Sequence, residues 1–131
     1  MIIDSHCHLT YEPMSSSLKE TIKRANKDGV KYLLTISTED KSYKKLLDIV
    51  ETHDCVYGSY GIHPHEAKNH KEINSKTIVE KIQKSKKIIG IGESGLDFFY
   101  NHSEKKDQIF SFLEHIDASQ KTSLPLIVHT R

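Results

Sequence analysis

Residues 88–91 read Ile-Ile-Gly-Ile, and Gly92 and Glu93 follow them. A short, nearly continuous apolar run bounded by glycine is typical of a strand that is buried on both faces of a parallel sheet. Other segments rich in β-forming residues predict four more strands, one opened by Ile2 and Ile3 and the others covering 30–36, 56–62 and 124–129. The chain is therefore expected to contain about five strands.

Segments with helical periodicity separate these strands. The first helix is predicted to end at Gly29, since glycine commonly terminates helices. The second follows Thr38, the third covers 74 to about 84, and the fourth and longest begins at Ser103. The inner face of the fourth helix is predicted to carry Ile109, Phe112, Leu113 and Ile116.

The alternation of strands and helices, at about 30 residues per unit, indicates an α/β protein built from right-handed βαβ units. An open doubly wound sheet and a (β/α)₈ barrel both fit this pattern, and both place functional residues just past the strand ends. No phosphate-binding glycine motif follows the first strand, which disfavours a nucleotide-binding doubly wound domain.

Composition limits the possible classes of protein. The 131 residues suffice for one modest domain, and the formal net charge of +1 gives no general electrostatic footprint for nucleic acid, although a local positive groove stays open. No apolar run approaches the ~20 residues that span a bilayer, so we predict a cytoplasmic protein without a membrane segment. Cys7 and Cys55 are predicted to be buried free thiols, because they form no disulfide framework.

A histidine pair closes the first strand in the sequence Asp4-Ser5-His6-Cys7-His8-Leu9. Side chains alternate along a strand, so His6 and His8 point to one face while Cys7 points to the other. Two imidazoles on one face can hold a divalent metal ion, and Asp4 is positioned to orient one of them. Chance pairing of two histidines is the alternative interpretation.

A second histidine pair, His63 and His65, follows the third strand. Pro64 favours an extended conformation at His63. We expect both imidazoles to contact substrate or to lie beside bound metal ions, whereas the simpler alternative is a surface loop that happens to contain histidines.

Glu93 is flanked by glycines, which let the backbone approach other groups closely. Its two carboxylate oxygens can bridge two cations about 3.5–4 Å apart. A role in capping a helix is disfavoured because no helical pattern begins there. Asp97 is predicted to be a structural acceptor for the following turn and not a metal ligand.

His129 stands at the tip of the last strand, where an unpaired buried imidazole would be costly. A partner is therefore expected, and a metal ion fits. Arg131 carries a planar guanidinium suited to phosphate or carboxylate, unless it is simply a free side chain.

Taken together, the segments 4–9, 60–65, 92–100 and 124–131 resemble the TatD family of metal-dependent deoxyribonucleases, within the amidohydrolase-like barrels. Ser94 stands where the family more often has an apolar residue, and this departure leaves the ligand set untouched. The resemblance implies a TIM-barrel fold and hydrolysis of DNA phosphodiesters, often as a 3′→5′ exonuclease acting on single-stranded DNA or 3′ ends.

The resemblance also implies a role for each motif residue. His6 and His8 would hold one divalent metal, Glu93 would bridge two and act in catalysis, and His129 would bind the second. The residues near the substrate phosphate would be His63, His65 and Arg131. The identity of the two metals stays open among Mg, Mn, Zn and Ni.

A (β/α)₈ barrel takes about 250 residues, and this sequence supplies five strands and four helices. The family's further His and its Glu-Thr-Asp motif are not among the 131 residues. We therefore expect residues 1–131 to form the N-terminal part of a TatD-like barrel, active when the closing strands are present.

Two alternative functions remain. The first is a truncated remnant without enzymatic activity. The second is an amidohydrolase-like enzyme that acts on a small amide, ester or lactone. The second is disfavoured because no lysine lies near the Glu93 motif to form a carbamylated metal bridge; Lys86 and Lys87 lie at the other end of that strand.

Overall fold

A computed structural model describes residues 1–131 and contains the predicted alternation of elements. The strands are β1 (Ile2–Cys7), β2 (Val30–Thr35), β3 (Val56–Tyr60), β4 (Ile88–Leu96) and β5 (Leu126–Thr130). The helices are α1 (Leu18–Lys27), α2 (Tyr43–Thr52), α3 (Ser75–Ile82) and α4 (Lys105–Thr122), and a short 3₁₀ helix covers Pro64–Asn69. Because β4 continues to Leu96, Glu93 lies within a strand and not after one.

All five strands are parallel and lie in the order β1-β2-β3-β4-β5. Each crossover therefore joins neighbouring strands in one direction, as in a (β/α)₈ barrel, whereas a doubly wound sheet reverses its strand order. The chain is a five-stranded half-barrel, which confirms the predicted partial TIM barrel. None of its helices combines the length and the apolarity that crossing a bilayer requires.

The hydrophobic core lies between the sheet and the helices. Leu33, Val56 and Ile88 project from the strands and are almost fully buried. Leu46 of α2 and Ile78 of α3 pack in the same cluster from the helical side. The helices therefore cover one face of the sheet only.

The opposite face of the sheet is apolar and open. Ile3, Tyr32, Tyr57 and Ile89 line a cavity of about 320 Å³ on this face. Side chains on the corresponding face of a (β/α)₈ barrel fill its interior. An exposed row of large apolar side chains is therefore what a half-barrel presents where a closed barrel has its central core.

The predicted inner face of α4 is wrong for Ile109 and Leu113, whereas the other two residues predicted there, Phe112 and Ile116, are partly buried. Ile109 and Leu113 are 44% and 57% exposed, whereas the buried residues of the helix are Gln108, Ser111, His115 and Ala118. The Gln108 amide accepts from the Asp97 N–H and donates to the Asp97 and Ser103 carbonyls. Buried polar groups with satisfied hydrogen bonds are stable, so the helix packs this polar face against the strands.

Strands β3 and β4 approach very closely at the carboxyl end of the sheet. A Cβ added to Gly61 would lie 2.3 Å from the Gly92 Cα, so only glycine fits there. The approach brings the residues that follow Gly61 beside those that follow Gly92.

Both cysteines are free and half-buried. The Cys7 thiol lies 3.4 Å from the Leu34 carbonyl, and burial raises its pKa to about 12. Cys7 is therefore a packed thiol and a poor metal ligand, as its position in the strand predicts.

Candidate metal centre

Glu93 lies at the centre of a cluster of imidazoles at the carboxyl ends of the strands. Its Oε2 is 3.3 Å from His6 Nε2, and its Oε1 is 3.1 Å from His129 Nδ1. The carboxylate is nearly buried, with 10% of its side chain exposed. Each oxygen therefore faces an imidazole from a different edge strand, since His6 belongs to β1 and His129 to β5.

His8 is held in one orientation by the end of β2. Its Nδ1 lies 3.3 Å from the Ile36 carbonyl, which can only accept, so Nδ1 donates and Nε2 keeps its lone pair. The ring also stacks on Tyr11 at 4.8 Å. The donor atoms of His6, His8 and Glu93 lie within 4.8 Å of one another, so they can surround one cation.

Asp4 does not orient an imidazole, contrary to the prediction. Its carboxylate accepts from the backbone N–H of His6 at 3.1 Å. The carbonyl of Ile36, directly after the neighbouring strand β2, orients His8 instead. Sequence analysis missed this contact because its partner lies 28 residues away in the chain.

His129 is oriented by Asp97. Its Nε2 lies 3.0 Å from Asp97 Oδ2, and because a carboxylate accepts, Nε2 carries the proton. The Nδ1 lone pair is then directed toward Glu93. A metal-binding histidine commonly donates its other ring N–H to a carboxylate, so this arrangement suits a ligand.

Asp97 is fully buried, and both oxygens of its carboxylate accept hydrogen bonds. Oδ2 accepts from His65 Nε2 at 2.9 Å as well as from His129, and Oδ1 accepts from the Tyr100 N–H at 3.2 Å. Burial raises the pKa of Asp97, but these hydrogen bonds outweigh it and hold that pKa below its usual range. Its predicted role as a turn acceptor is confirmed, and the structure adds that it orients two histidines.

His63 is better suited to donate a hydrogen bond than to bind a cation. Its Nδ1 accepts from the His65 backbone N–H at 3.1 Å, so in the neutral ring the proton is on Nε2. Burial lowers the pKa of His63 to about 4, against the opposing charge of Glu93. The imidazole is therefore neutral near pH 7 and directs an N–H into the cluster, where Nε2 lies 3.2 Å from His129 Nδ1.

The structure brings six of the seven predicted site residues into one cluster: His6, His8, His63, His65, Glu93 and His129. Arg131 lies beside it, with its guanidinium 4.6 Å above the rings of Phe99 and Tyr100. A polar cavity of about 290 Å³ opens next to the cluster and is lined by Tyr11, Thr38, Glu39, His63, His65 and Glu66.

A parallel half-barrel with imidazoles and a central carboxylate at its strand ends has the architecture of metal-dependent hydrolases built on (β/α)₈ barrels. The family model described as TatD related DNase matches residues 3–131. The chain belongs to that family.

Relatives and solved structures agree with this placement. A metal-dependent hydrolase of Buchnera aphidicola subsp. Baizongia pistaciae, itself uncharacterized, is 35% identical over 99% of this chain and 49% of its own length. A protein of Erwinia tasmaniensis named 3′-5′ ssDNA/RNA exonuclease TatD is 28% identical over 99% of this chain and 50% of its own.

The crystal structure of YjjV, a TatD homologue from Escherichia coli K12, superposes with a TM-score of 0.81 at 26% identity, over 99% of this chain and 51% of that one. A TatD family hydrolase from Entamoeba histolytica has a TM-score of 0.88 at 21% identity, covering 99% and 50% of the two chains, and this likeness concerns the fold alone. The chain spans about half the length of the curated relatives it matches.

Proposed function

We propose that this chain carries the metal-binding half of an active site that hydrolyses phosphodiester bonds in DNA with two divalent cations. The observation that carries the proposal is Glu93, whose two oxygens face imidazoles from opposite edges of the sheet. Family membership and the exonuclease name of the Erwinia tasmaniensis relative support a nucleic-acid substrate, with single-stranded DNA or 3′ ends preferred.

Each ligand has a defined role in this proposal. His6 and His8 would hold one cation, Glu93 would serve both cations through its two oxygens, and His129 would hold the second through Nδ1. Divalent cations at such a site activate water and offset charge on phosphate oxygens. Relatives named as metal-dependent hydrolases support the requirement for metal.

Histidines outside the ligand set face the substrate. His63 is neutral, and with the His129 Nδ1 lone pair on a cation its Nε2–H would be free to donate to a non-bridging phosphate oxygen. His65, held by Asp97, lies beside it at the mouth of the polar cavity. The guanidinium of Arg131 supplies further positive charge to the phosphodiester chain.

Hydrolysis of a small amide, ester or lactone has less support. Lys87 binds the His53 and Asp54 carbonyls at 2.8 and 3.1 Å, before β3 begins and away from the cluster. It cannot form a carbamate bridge beside Glu93. Strand β4 itself contains no lysine.

The proposal is tested by metal binding and by cleavage of DNA. Titration calorimetry of the purified protein with Mn²⁺ and Zn²⁺ is compared between the unsubstituted chain, Glu93→Gln and the matched control Glu20→Gln. Glu20 is an exposed carboxylate in the first turn of α1. We expect Glu93→Gln to lower metal affinity at least about 100-fold, beyond the range typical of a lost outer-shell partner, and Glu20→Gln to leave it unchanged.

The cleavage assay presents a labelled single-stranded oligonucleotide and small aryl esters to the metal-loaded protein. Release of nucleotides that is lost in Glu93→Gln supports the proposal. Hydrolysis of the esters without release of nucleotides would favour the amidohydrolase alternative. Tight metal binding without either reaction, even when the segment that closes the barrel is supplied, would favour the inactive remnant.

A further inference from the structure

The loop after β4 exposes several aromatic side chains to solvent. Phe99 and Tyr100 are 71% and 50% exposed, and they follow directly after the buried Asp97 and the partly exposed Phe98. The His102 ring lies parallel to that of Tyr100, with an interplanar angle of 13°. We name Phe99, Tyr100, His102 and Arg131 the aromatic platform.

Positive charge accompanies these rings. The guanidinium of Arg131 lies 4.6 Å from the centroids of both Phe99 and Tyr100, within the range of a cation–π contact. The Lys105 ammonium, at the start of α4, lies 5.0 Å from the ring centroid of Phe98, which belongs to the same loop as Phe99 and Tyr100. Exposed aromatic faces next to cationic groups are the combination with which proteins bind single-stranded nucleic acid, since bases stack on the rings and phosphates pair with the cations.

The aromatic platform is continuous with the metal centre. The His65 ring lies 4.6 Å from that of His102 and 5.8 Å from that of Tyr100. Asp97 binds the backbone N–H of Tyr100 and the rings of His65 and His129 through one carboxylate. The same buried group therefore sets the position of the platform relative to the imidazoles.

We infer that the aromatic platform is a stacking site for one unpaired nucleobase, adjacent to the phosphate that lies at the metal centre. The inference rests on the proposed function, because it places the base of that same substrate. Bases within a duplex are stacked on each other and do not offer a free face, so the occupant is a single strand or a frayed 3′ end. The rings do not read the identity of the base, because every base has a π-face.

The test uses a short oligothymidylate that contains one 2-aminopurine, whose fluorescence is quenched on stacking. The chain has no tryptophan, so protein emission does not interfere. Binding is measured in EDTA, without hydrolysis, for the unsubstituted chain, Phe99→Leu and Tyr100→Leu. Leucine keeps apolar bulk but removes the π-face. Phe110→Leu is the matched control, since Phe110 is 45% exposed on α4 and outside the platform.

We expect quenching with the unsubstituted protein and a Kd that rises about 5- to 150-fold in Tyr100→Leu or Phe99→Leu, with no change in Phe110→Leu. A competitor strand that carries an abasic site in place of the 2-aminopurine tests whether the base itself contributes to the affinity. The unsubstituted chain should prefer the strand with the base, and Tyr100→Leu should lose that preference. The ratio compares two ligands on one protein, so partial unfolding of a variant does not change it.

Absence of quenching with the unsubstituted chain would overturn the inference, as would equal affinities of Tyr100→Leu and the unsubstituted protein. Either result together with metal-dependent cleavage of DNA would leave the proposed function standing. Conversely, quenching that depends on Tyr100, in a protein that cleaves no DNA even when the segment that closes the barrel is supplied, would support the stacking site and count against the proposed reaction.

Discussion

His115 is a fully buried histidine outside the metal centre, and its hydrogen bonds make the stability of the fold depend on pH. Its Nε2 accepts from the Ile62 N–H at 3.0 Å, and its Nδ1 donates to the Ser111 carbonyl at 2.6 Å. The bond from the Ile62 N–H requires the neutral ring, because the protonated ring has no acceptor, whereas Nδ1 donates to Ser111 in either state. Burial lowers the pKa of His115 to about 4, although the bond to Ser111 opposes this change.

The size of the effect follows from the two states of the chain. An unfolded histidine titrates near pH 6.5, so between about pH 6.5 and pH 4 the unfolded chain binds a proton that the folded one does not. The contribution of neutral His115 is therefore fully present above pH 6.5 and is lost as the pH falls toward 4. At 1.36 kcal/mol per pKa unit, the loss is about 3 kcal/mol.

The perturbation is His115→Gln, which removes the titrating group. Urea unfolding followed by circular dichroism gives the free energy of unfolding of both proteins at several values between pH 7 and pH 4. At pH 7 the variant should be less stable by about 1–3 kcal/mol if the Ile62 N–H loses its acceptor. The difference between the two proteins should shift by about 3 kcal/mol in favour of the variant as the pH falls.

The contributions of other titrating groups to the pH dependence of stability cancel in this comparison, because His63 and the carboxylates are present in both proteins. If the stabilities of the two proteins change in parallel from pH 7 to pH 4, His115 does not carry the pH dependence, and the reasoning from its hydrogen bonds is wrong. An unfolding transition whose slope differs between the proteins would require the comparison to be repeated by thermal unfolding.

Four further substitutions have defined outcomes. Gly61→Ala should lower the free energy of unfolding in urea by about 3 kcal/mol or more, because its Cβ would collide with Gly92, whereas Gly29→Ala has open space and only a positive φ and should cost about 1–2 kcal/mol. Ser94→Ala should raise stability by about 1 kcal/mol in the same assay, because the buried Ser94 Oγ has no hydrogen-bond partner; a loss of stability would contradict this. Asp97→Asn should lower Mn²⁺ affinity about 10- to 100-fold in calorimetry by releasing His129, and unchanged affinity would exclude an orienting role.

The alternation of strands and helices could be predicted because apolar periodicity is a local property of the chain. The choice between a barrel and a doubly wound sheet could not be made from that periodicity, since strand order depends on which distant segments pair. The resemblance of four motifs to a known family predicted the barrel architecture. The parallel strand order from β1 to β5 confirms that prediction.

The face of α4 shows where periodicity fails. Apolar residues such as Ile109 and Leu113 lie on one side of the helix, and the spacing predicts that this side faces the sheet. The buried side carries Gln108 and His115 instead, because backbone groups at the ends of β3 and β4 satisfy their hydrogen bonds. Those partners become neighbours only in the folded chain.

The candidate site, too, could be predicted only in part from the sequence. The residue types and their places near the strand ends can be predicted from the sequence, because side-chain alternation and strand direction put His6, Glu93 and His129 at the carboxyl end of a parallel sheet. Which ring nitrogen of His8 and of His129 keeps a free lone pair for the proposed cations is decided only by the tertiary structure. The Ile36 carbonyl and the Asp97 carboxylate select those nitrogens, and both reach the imidazoles from segments distant in the chain.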